Sequence, residues 1–462
     1  MYSQVQYLVK KIMWAKLYKR PFLKLSFLAL ILFTWILQDT YKDSRGKEDY
    51  FLEDVDQYYS YLPAYFIYDD LEFKFDHSYW LMPTAYGKKV PKVTMGLALM
   101  NTPFFLVGDY WAKHSKYSRD GYSYPYVLCI RLGTIFYFLL GMLFLAKSLL
   151  KFFNEFTTVI TCALVFLGTN LLYYTLGHAE MPHSYLFMLF SVIIYQSLRW
   201  HATGKIKPLL VVSFLSGLAV LVRPTAGLIV MVPLLYGITS VGLFKEKINF
   251  FWRQKWRIII SLAMFIVPLV PQLLFWKIQT GNYFFFSYGS DERFFFTSPH
   301  ILEFLFSYRK GWLLYTPMMA LALAGLVFLR GKAKELSLLV PFIIVIAIYV
   351  FSSWWSWWYG GSFGMRSMVH YYPLLAFPLA ALISACFNKT TMAIVVTVIC
   401  ALFVSLNMGQ ALQYKRNMIH WDGMTKEAYW FSITHPRFEE EHWAIFESYI
   451  ERPDYDAAKK PQ

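Results

Sequence analysis

Apolar runs of about 17–25 residues, the length that crosses a bilayer as a helix, recur along the whole chain between short polar connections. They predict spans at 22–38, 125–147, 156–176, 182–199, 208–222, 225–243, 258–276, 312–329, 336–353, 367–387 and 391–409. The first follows a basic segment (Lys10, Lys11, Lys16, Lys19, Arg20) in the order of a signal peptide. However, "QDTYKDS" comes next, with no small-x-small cleavage pattern, so the segment reads as an uncleaved anchor helix. The stretch 94–111 ("TMGLALMNTPFFLVGDYW") is also apolar, but Thr94, Asn101, Thr102 and Asp109 share one helical face. That pattern predicts a helix lying along the membrane surface.

Charge settles the orientation of the spans. With 94–111 left out and 208–243 divided at Arg223-Pro224, the connections 147–155, 199–207, 244–257, 330–335 and 388–390 fall on the side of the N-terminus. That side carries 20 of the 44 Lys and Arg, and three of the 29 acids: Glu155, Glu246 and Glu335. The remaining 24 bases face 26 acids, which is the positive-inside asymmetry of a protein with eleven spans, N-terminus in and C-terminus out. A crossing at 94–111 would move every later basic connection outside.

Composition agrees. Hydrophobic residues make up 57% of the 462 and charged residues 16%, too little charge for an ordinary soluble domain. The net charge of +15 is then a topology signal, and nucleic acid is a poor partner. Cys129, Cys162, Cys386 and Cys400 lie inside apolar runs without CxxC pairing, and read as small hydrophobes. The expected fold is all-α and polytopic. Residues 1–409 form the transmembrane unit, with 39–124 as its first outer loop. Residues 410–462 form an outer tail too short for a large core of its own, expected to pack over the loops.

The unusual polar residues all fall on the outer side. "EDVDQYYSYLPAYFIYDD" (53–70) opens with Asp54 and Asp56, ahead of a helical tyrosine face of Tyr58, Tyr61, Tyr65 and Tyr68 suited to lipid headgroups. The two carboxylates fit helix-capping acids, a general base or a metal ligand. "GHAEMPHSY" (177–185) crowds His178, Glu180 and His183 into a short connection. Ionisable groups among membrane helices are functional candidates; a solvated turn is the plain alternative. Two His and one Glu would suit a divalent metal, though their spacing matches no standard ligand signature.

"LVRPTAG" (221–227) places Arg223 at the tip of a short hairpin, near lipid phosphate. Snorkelling to ordinary headgroups is the simpler account. "FSYRKGWLLYTP" brings Arg309 and Lys310, and "WWSWWYGGSFGMRSMVHYYP" (354–373) brings four tryptophans, three glycines, Arg366 and His370 ahead of a helix. Glycines there would let backbone approach a ligand, and aromatic faces suit sugar rings. An interfacial aromatic belt with a flexible turn reads the same residues without a ligand.

These motifs, in this order and across most of the span-bearing chain, resemble the GT-C superfamily of membrane glycosyltransferases. The protein O-mannosyltransferases and lipid A aminoarabinose transferases are nearest in organisation, and a bacterial branch of that group is most similar. The resemblance implies transfer of a sugar from a polyprenyl phosphate or diphosphate carrier to an acceptor at the outer face of a bacterial inner membrane. It implies an acidic base in the first outer loop, with amphipathic helices of that loop along the membrane surface, and inversion in a single displacement. The family's acid pair is Asp-Glu with a tyrosine a few residues on. Here Val55 stands where Glu is usual, leaving Asp54 or Asp56 as the base, with the spacing to Tyr58 favouring Asp54.

In this scheme Arg223 and Arg366, with Arg309 or Lys310, would stabilise the leaving phosphate, and Glu180 and His183 would orient the acceptor or sugar. A divalent metal would draw on Asp54, Asp56, Glu180 and His183; no other cofactor is implied. Two rivals stand beside it. A lipid-sugar flippase would need polar residues near mid-membrane, often on repeated or broken helices, whereas the predicted spans carry few charges and no repeat is evident. A non-catalytic scaffold of envelope polysaccharide assembly would tolerate loss of Asp54, Asp56 and Arg223.

Overall fold

The computed structural model describes residues 21–41, 51, 54–75, 81–289 and 291–460. The basic segment at 10–20 and Glu53 lie outside the described residues. The described chain is helical nearly throughout. It begins with α1 (Pro21–Tyr41), then α2 (Asp54–Tyr59) and α3 (Tyr61–Phe66) in the first loop. A small antiparallel hairpin, β1 (Met82–Pro83) and β2 (Lys89–Val90), leads to α4 (Gly96–Lys113). The bundle continues with α5 (Tyr124–Leu149), α6 (Glu155–Leu167), α7 (Leu171–Leu176), α8 (His183–Thr203) and α9 (Ile206–Val222). After a 3₁₀ segment come α10 (Met231–Leu235), α11 (Val241–Arg253), α12 (Lys255–Ile266) and α13 (Val270–Thr280). The remainder is α14 (Ile301–Phe306), α15 (Trp312–Tyr315), α16 (Met318–Lys332), α17 (Leu339–Ser352), α18 (Tyr372–Cys386) and α19 (Thr390–Lys415). Three short helices, α20 (Lys426–Thr434), α21 (Glu440–Ser448) and α22 (Tyr455–Ala458), make up the tail.

The protein is a polytopic all-α membrane protein. Among the described residues, six helical segments are long and apolar enough to cross a membrane: Pro21–Gln38, Tyr124–Leu149, Lys255–Thr280, Lys334–Ser352, Arg366–Cys386 and Thr390–Lys415. Each coincides with a span predicted from the sequence. The other five predicted spans correspond to shorter, interrupted or more polar helices. The apolar window of Arg366–Cys386 is 89% buried, against 11% for that of Thr390–Lys415. The first is therefore the axis of the bundle and the second its rim. Helix α18 meets α16 at Gly325, where an added Cβ would stand 2.0 Å from the Pro378 carbonyl oxygen. Close backbone contact through small residues replaces the hydrophobic drive that lipid removes.

Several expectations change on folding. The second limb of the hairpin at Arg223 does not run through 225–243. It is a 3₁₀ segment, Pro224–Val230, continued by α10, and it ends at Leu235. The residues after Ser240 form α11 instead, a basic amphipathic helix with no buried residue, whose first turn Ser240 caps by accepting from Leu243 N at 3.3 Å. The rim helix α19 runs to Lys415, past the expected end at 409. The tyrosine face at 58–68 is not one lipid-facing stripe either. The helix is interrupted at Ser60, and Tyr58 and Tyr61 turn inward while Tyr65 and Tyr68 stay exposed. Tyr61 packs edge-on to Phe73 and Phe275 and donates to the Val93 carbonyl at 2.8 Å.

The helix expected to lie along the membrane surface, α4, instead packs antiparallel and lengthwise against the first half of α5, itself long and apolar enough to cross a membrane. Gly108 lies against Tyr126, Phe104 against Gly133, and the Met100 carbonyl accepts from the Tyr137 hydroxyl at 2.8 Å. Its polar face points into the protein. Asn101 accepts from Tyr185 at 2.6 Å, Thr94 donates to the Leu221 carbonyl, and Asp109 holds Arg119 and Tyr126. Leu106, Val107 and Tyr110 face outward. Polar-in, apolar-out is the arrangement of a helix whose surroundings are less polar than its partners.

Candidate functional site

Helix α2 begins at Asp54, and Asp54 and Asp56 are the acids of its first turn. That position suits a carboxylate, because the first free N–H groups and the helix dipole favour negative charge there. Two residues along a helix turn a side chain through roughly 200°, so the two acids diverge. Asp54 faces Arg366, with Oδ2 accepting from Nη2 at 3.0 Å.

Arg366 reaches this point because of the turn before it. Tyr359, Gly360 and Gly364 adopt φ of 60°, 60° and 57°. Gly364 both needs the left-handed conformation and has no room for a side chain, since an added Cβ would sit 3.0 Å from the Tyr315 Cβ. These glycines shape the turn itself. The loop is held from below by Asn170 and Tyr174. Asn170 Nδ2 donates to the Phe363 carbonyl at 3.2 Å, and the Tyr174 hydroxyl accepts from Phe363 N at 3.0 Å. From above it is held by the tail, where Ser362 N donates to the Trp421 carbonyl at 3.2 Å.

Arg223 arrives from α9. That helix has 17 residues, about 25 Å at 1.5 Å per residue, so it falls short of a bilayer core of about 30 Å. Arg223 follows in extended conformation (φ −150°) and lies close enough to Asp54 and Tyr58 to favour negative charge on both. Burial pushes the Asp54 carboxyl up, but Arg366, Arg223 and the nearby His178 together outweigh it and hold it below the ordinary value of 3.8. The Asp54 side chain is still 49% exposed while Arg366 is only 11% exposed. The carboxylate therefore lies in a recess, walled by protein and open on one side. Burial keeps the Tyr58 hydroxyl protonated, against the pull of Arg223.

The sequence-predicted residues divide around this pair. Asp54, Tyr58, Arg223 and Arg366 come together, and His178 joins them. Glu180 and His183 are both buried at the turn into α8, with the His183 ring 4.5 Å from that of Tyr174. Among the described residues neither His183 nitrogen has a hydrogen-bond partner, and the same holds for both His370 nitrogens and Arg366 Nε. Arg309 and Lys310 have different duties. Arg309 Nη1 donates to the Asp422 carbonyl at 3.2 Å and its guanidinium lies over Trp358. Lys310, 1% exposed, donates to the Ser362 carbonyl and, at 2.6 Å, to that of Trp421. Burial pushes its ammonium down to about 7, with the Asp422 carboxylate opposing. Both basic residues expected to meet phosphate instead fasten the tail over the loop that carries Arg366.

The metal expectation for Asp54, Asp56, Glu180 and His183 does not fit this arrangement. Among the described residues no three His, Cys, Asp or Glu side chains gather as a metal site, because Asp54 turns to Arg366 while Glu180 and His183 are packed into the α7–α8 turn. No step is therefore routed through a metal.

Two residues here were not singled out from the sequence. Tyr288 and Tyr359 both lie within the field of Arg223, and Tyr359 also feels Arg366. Tyr288 stands under the Lys92 ammonium, which pairs with Glu292 at 2.6 Å. A bulky residue at positive φ is costly and marks a site over-determined by its surroundings. Nothing local announces this at Tyr359 except the glycine that follows it, and nothing at all at Tyr288.

No protein-family model matches the chain, and no curated protein matches it. Among solved structures, the archaeal oligosaccharyltransferase AglB from Archaeoglobus fulgidus, determined with an inhibitory peptide and a dolichol-phosphate, superposes with a TM-score of 0.46 and 12% sequence identity. The match covers 96% of this chain and 61% of that one, so this chain spans about three fifths of the length of the protein it matches.

Proposed function

We propose that the chain is a membrane glycosyltransferase that moves a sugar from a polyprenyl phosphate or diphosphate carrier to an acceptor hydroxyl on the Asp54 side of the bundle. One observation carries the reading: a recessed carboxylate paired with Arg366, with Arg223 beside it, at the end of a helix too short to reach through the bilayer. A base that meets an acceptor from water and two guanidinium groups that meet a lipid phosphate need this arrangement at the membrane boundary.

The step balances as a single displacement. The acceptor hydroxyl gives its proton to Asp54 as its oxygen forms a bond to the anomeric carbon. The bond from that carbon to the carrier phosphate oxygen breaks, its electron pair stays on the phosphate, and the anomeric centre inverts. Arg366 and Arg223 stabilise the charge that develops there; one such donor is typically worth about 3–4 kcal/mol. The Arg366 pairing makes Asp54 a weak base at rest. A bound phosphate competes for Arg366, withdraws the charge that holds the carboxyl down, and leaves burial to raise it. Substrate binding thus strengthens the base. The buried Arg366 Nε and the His183 and His370 rings, without hydrogen-bond partners among the described residues, are groups beside this recess that a sugar hydroxyl could engage once the site opens to it.

The test is transfer of radiolabelled sugar from a polyprenyl phosphate donor in vesicles holding the wild type, Asp54→Asn, Asp56→Asn and the double variant. Loss of transfer in Asp54→Asn is expected. Full transfer in the double variant, or transbilayer movement of the donor with its sugar–phosphate bond intact, would overturn the reading.

A further inference from the structure

The end of the bundle away from Asp54 carries a second cluster that this mechanism does not use. Helices α5 and α8 pack side by side and run the same way. Thr134 meets Tyr185, Gly141 meets Met188 and Phe144 meets Tyr195. Arg199 lies 16 residues beyond His183, about 24 Å along α8. Near their last turns three cations converge on one pair of rings. Lys147 Nζ is 4.8 Å from the Phe144 ring, and Lys151 Nζ and the Arg199 guanidinium are 5.2 and 5.9 Å from that of Tyr195. The Phe144 and Tyr195 rings themselves stand edge-on at 5.3 Å.

Among the described residues no carboxylate pairs with any of the three. Arg199 donates to a neutral acceptor, Gln196 Oε1, at 3.1 Å. Like charges in a half-buried setting oppose one another. The ring contacts return only part of the lost hydration. An anion placed among the three would reverse the balance, and one with several oxygens suits a guanidinium fork beside two ammonium point charges. The cluster closes two apolar helices, with aromatic rings at the depth where a membrane helix meets headgroups.

We propose that Lys147, Lys151 and Arg199 form a binding site for the phosphate of an anionic membrane phospholipid, with the Phe144 and Tyr195 rings against its upper chain. Ordinary snorkelling spreads long cations outward to whichever headgroups pass. Here three are held beside two rings that touch each other, so that one anion can meet all three.

The test is native mass spectrometry of the full chain released from detergent after addition of phosphatidylglycerol or phosphatidylcholine. Phosphatidylglycerol should be retained over phosphatidylcholine. Lys151→Gln and Arg199→Gln should each weaken retention by about fivefold, the worth of one basic side chain at an anionic surface. Lys205→Gln with Lys207→Gln, bases on the same end outside the cluster, should leave it unchanged. Lys151 is exposed, so its variant removes charge without disturbing the core. Equal retention of the two lipids, or an equal loss in the control variant, would overturn the site. Displacement of phosphatidylglycerol by inorganic phosphate would overturn its assignment to lipid.

Discussion

Arg366 Nη2 donates to Asp54 Oδ2 across 3.0 Å, joining residues 312 positions apart in sequence. One lies between the first two membrane-crossing helices and the other opens the central helix of the bundle. The pair links the segment proposed to receive an acceptor to the most buried of the membrane-crossing helices.

Asp54→Asn should lower sugar transfer by about 10²–10⁴-fold, the range for a lost general base, and Asp56→Asn should lower it far less, since it is Asp54 that pairs with Arg366 and Asp56 lies roughly 200° further round the helix. Initial rates with a labelled polyprenyl phosphate sugar measure this. Equal losses in the two single variants would remove the assignment of Asp54 as the base.

The pH profile should show the same pairing. Asp54 is held below its ordinary value of 3.8, so it keeps its charge as pH falls until that lower value is reached. The acid limb of kcat/KM, which reports the free enzyme, should lie low. The acid limb of kcat should lie higher, because bound phosphate occupies Arg366. Arg366→Gln should move the kcat/KM limb upward. An unmoved limb in that variant would mean that some other group sets it.

Lys310 predicts a stability effect of opposite sense. Its ammonium titrates at about 7 in the folded protein and at about 10.4 when unfolded. Between these values the unfolded chain binds more protons, so stability rises with pH across that window and falls as pH drops toward 7. Lys310→Met should flatten the rise. It should also expose the tail to protease, because the Ser362 and Trp421 carbonyls lose their shared donor. Melting temperatures at several pH values, with limited proteolysis, check both effects.

Gly364→Ala should reduce transfer while leaving helix content unchanged. The substitution strains a backbone at φ 57° and presses on Tyr315, two residues before Arg366. Gly325→Ala should act in the opposite manner. It overpacks the α16–α18 contact and should cost about 1–3 kcal/mol of stability without altering the pH profile. Thermal unfolding and transfer rates, measured on the same preparations, separate the two.

The sequence by itself determined the class of fold, because the bilayer demands helices with apolar faces of a set length and leaves basic residues on one side. It also singled out Asp54, Tyr58, Arg223 and Arg366, since charged or hydroxyl groups near membrane helices are costly enough to stand out. Only the tertiary structure decided how those residues divide. Arg309 and Lys310 look as suited to phosphate as Arg366, yet they tie down the tail, and only the fold of residues 418–455 over the loop reveals it. The end of the hairpin at Leu235 was hidden because 236–243 keeps the apolar character of a span while Ser240 caps a new helix. Tyr288 and Tyr359 were hidden because their importance lies in what approaches them, not in their local pattern. Periodicity and charge record how each segment meets lipid or water; which segments meet one another depends on contacts between distant residues, which no local pattern encodes.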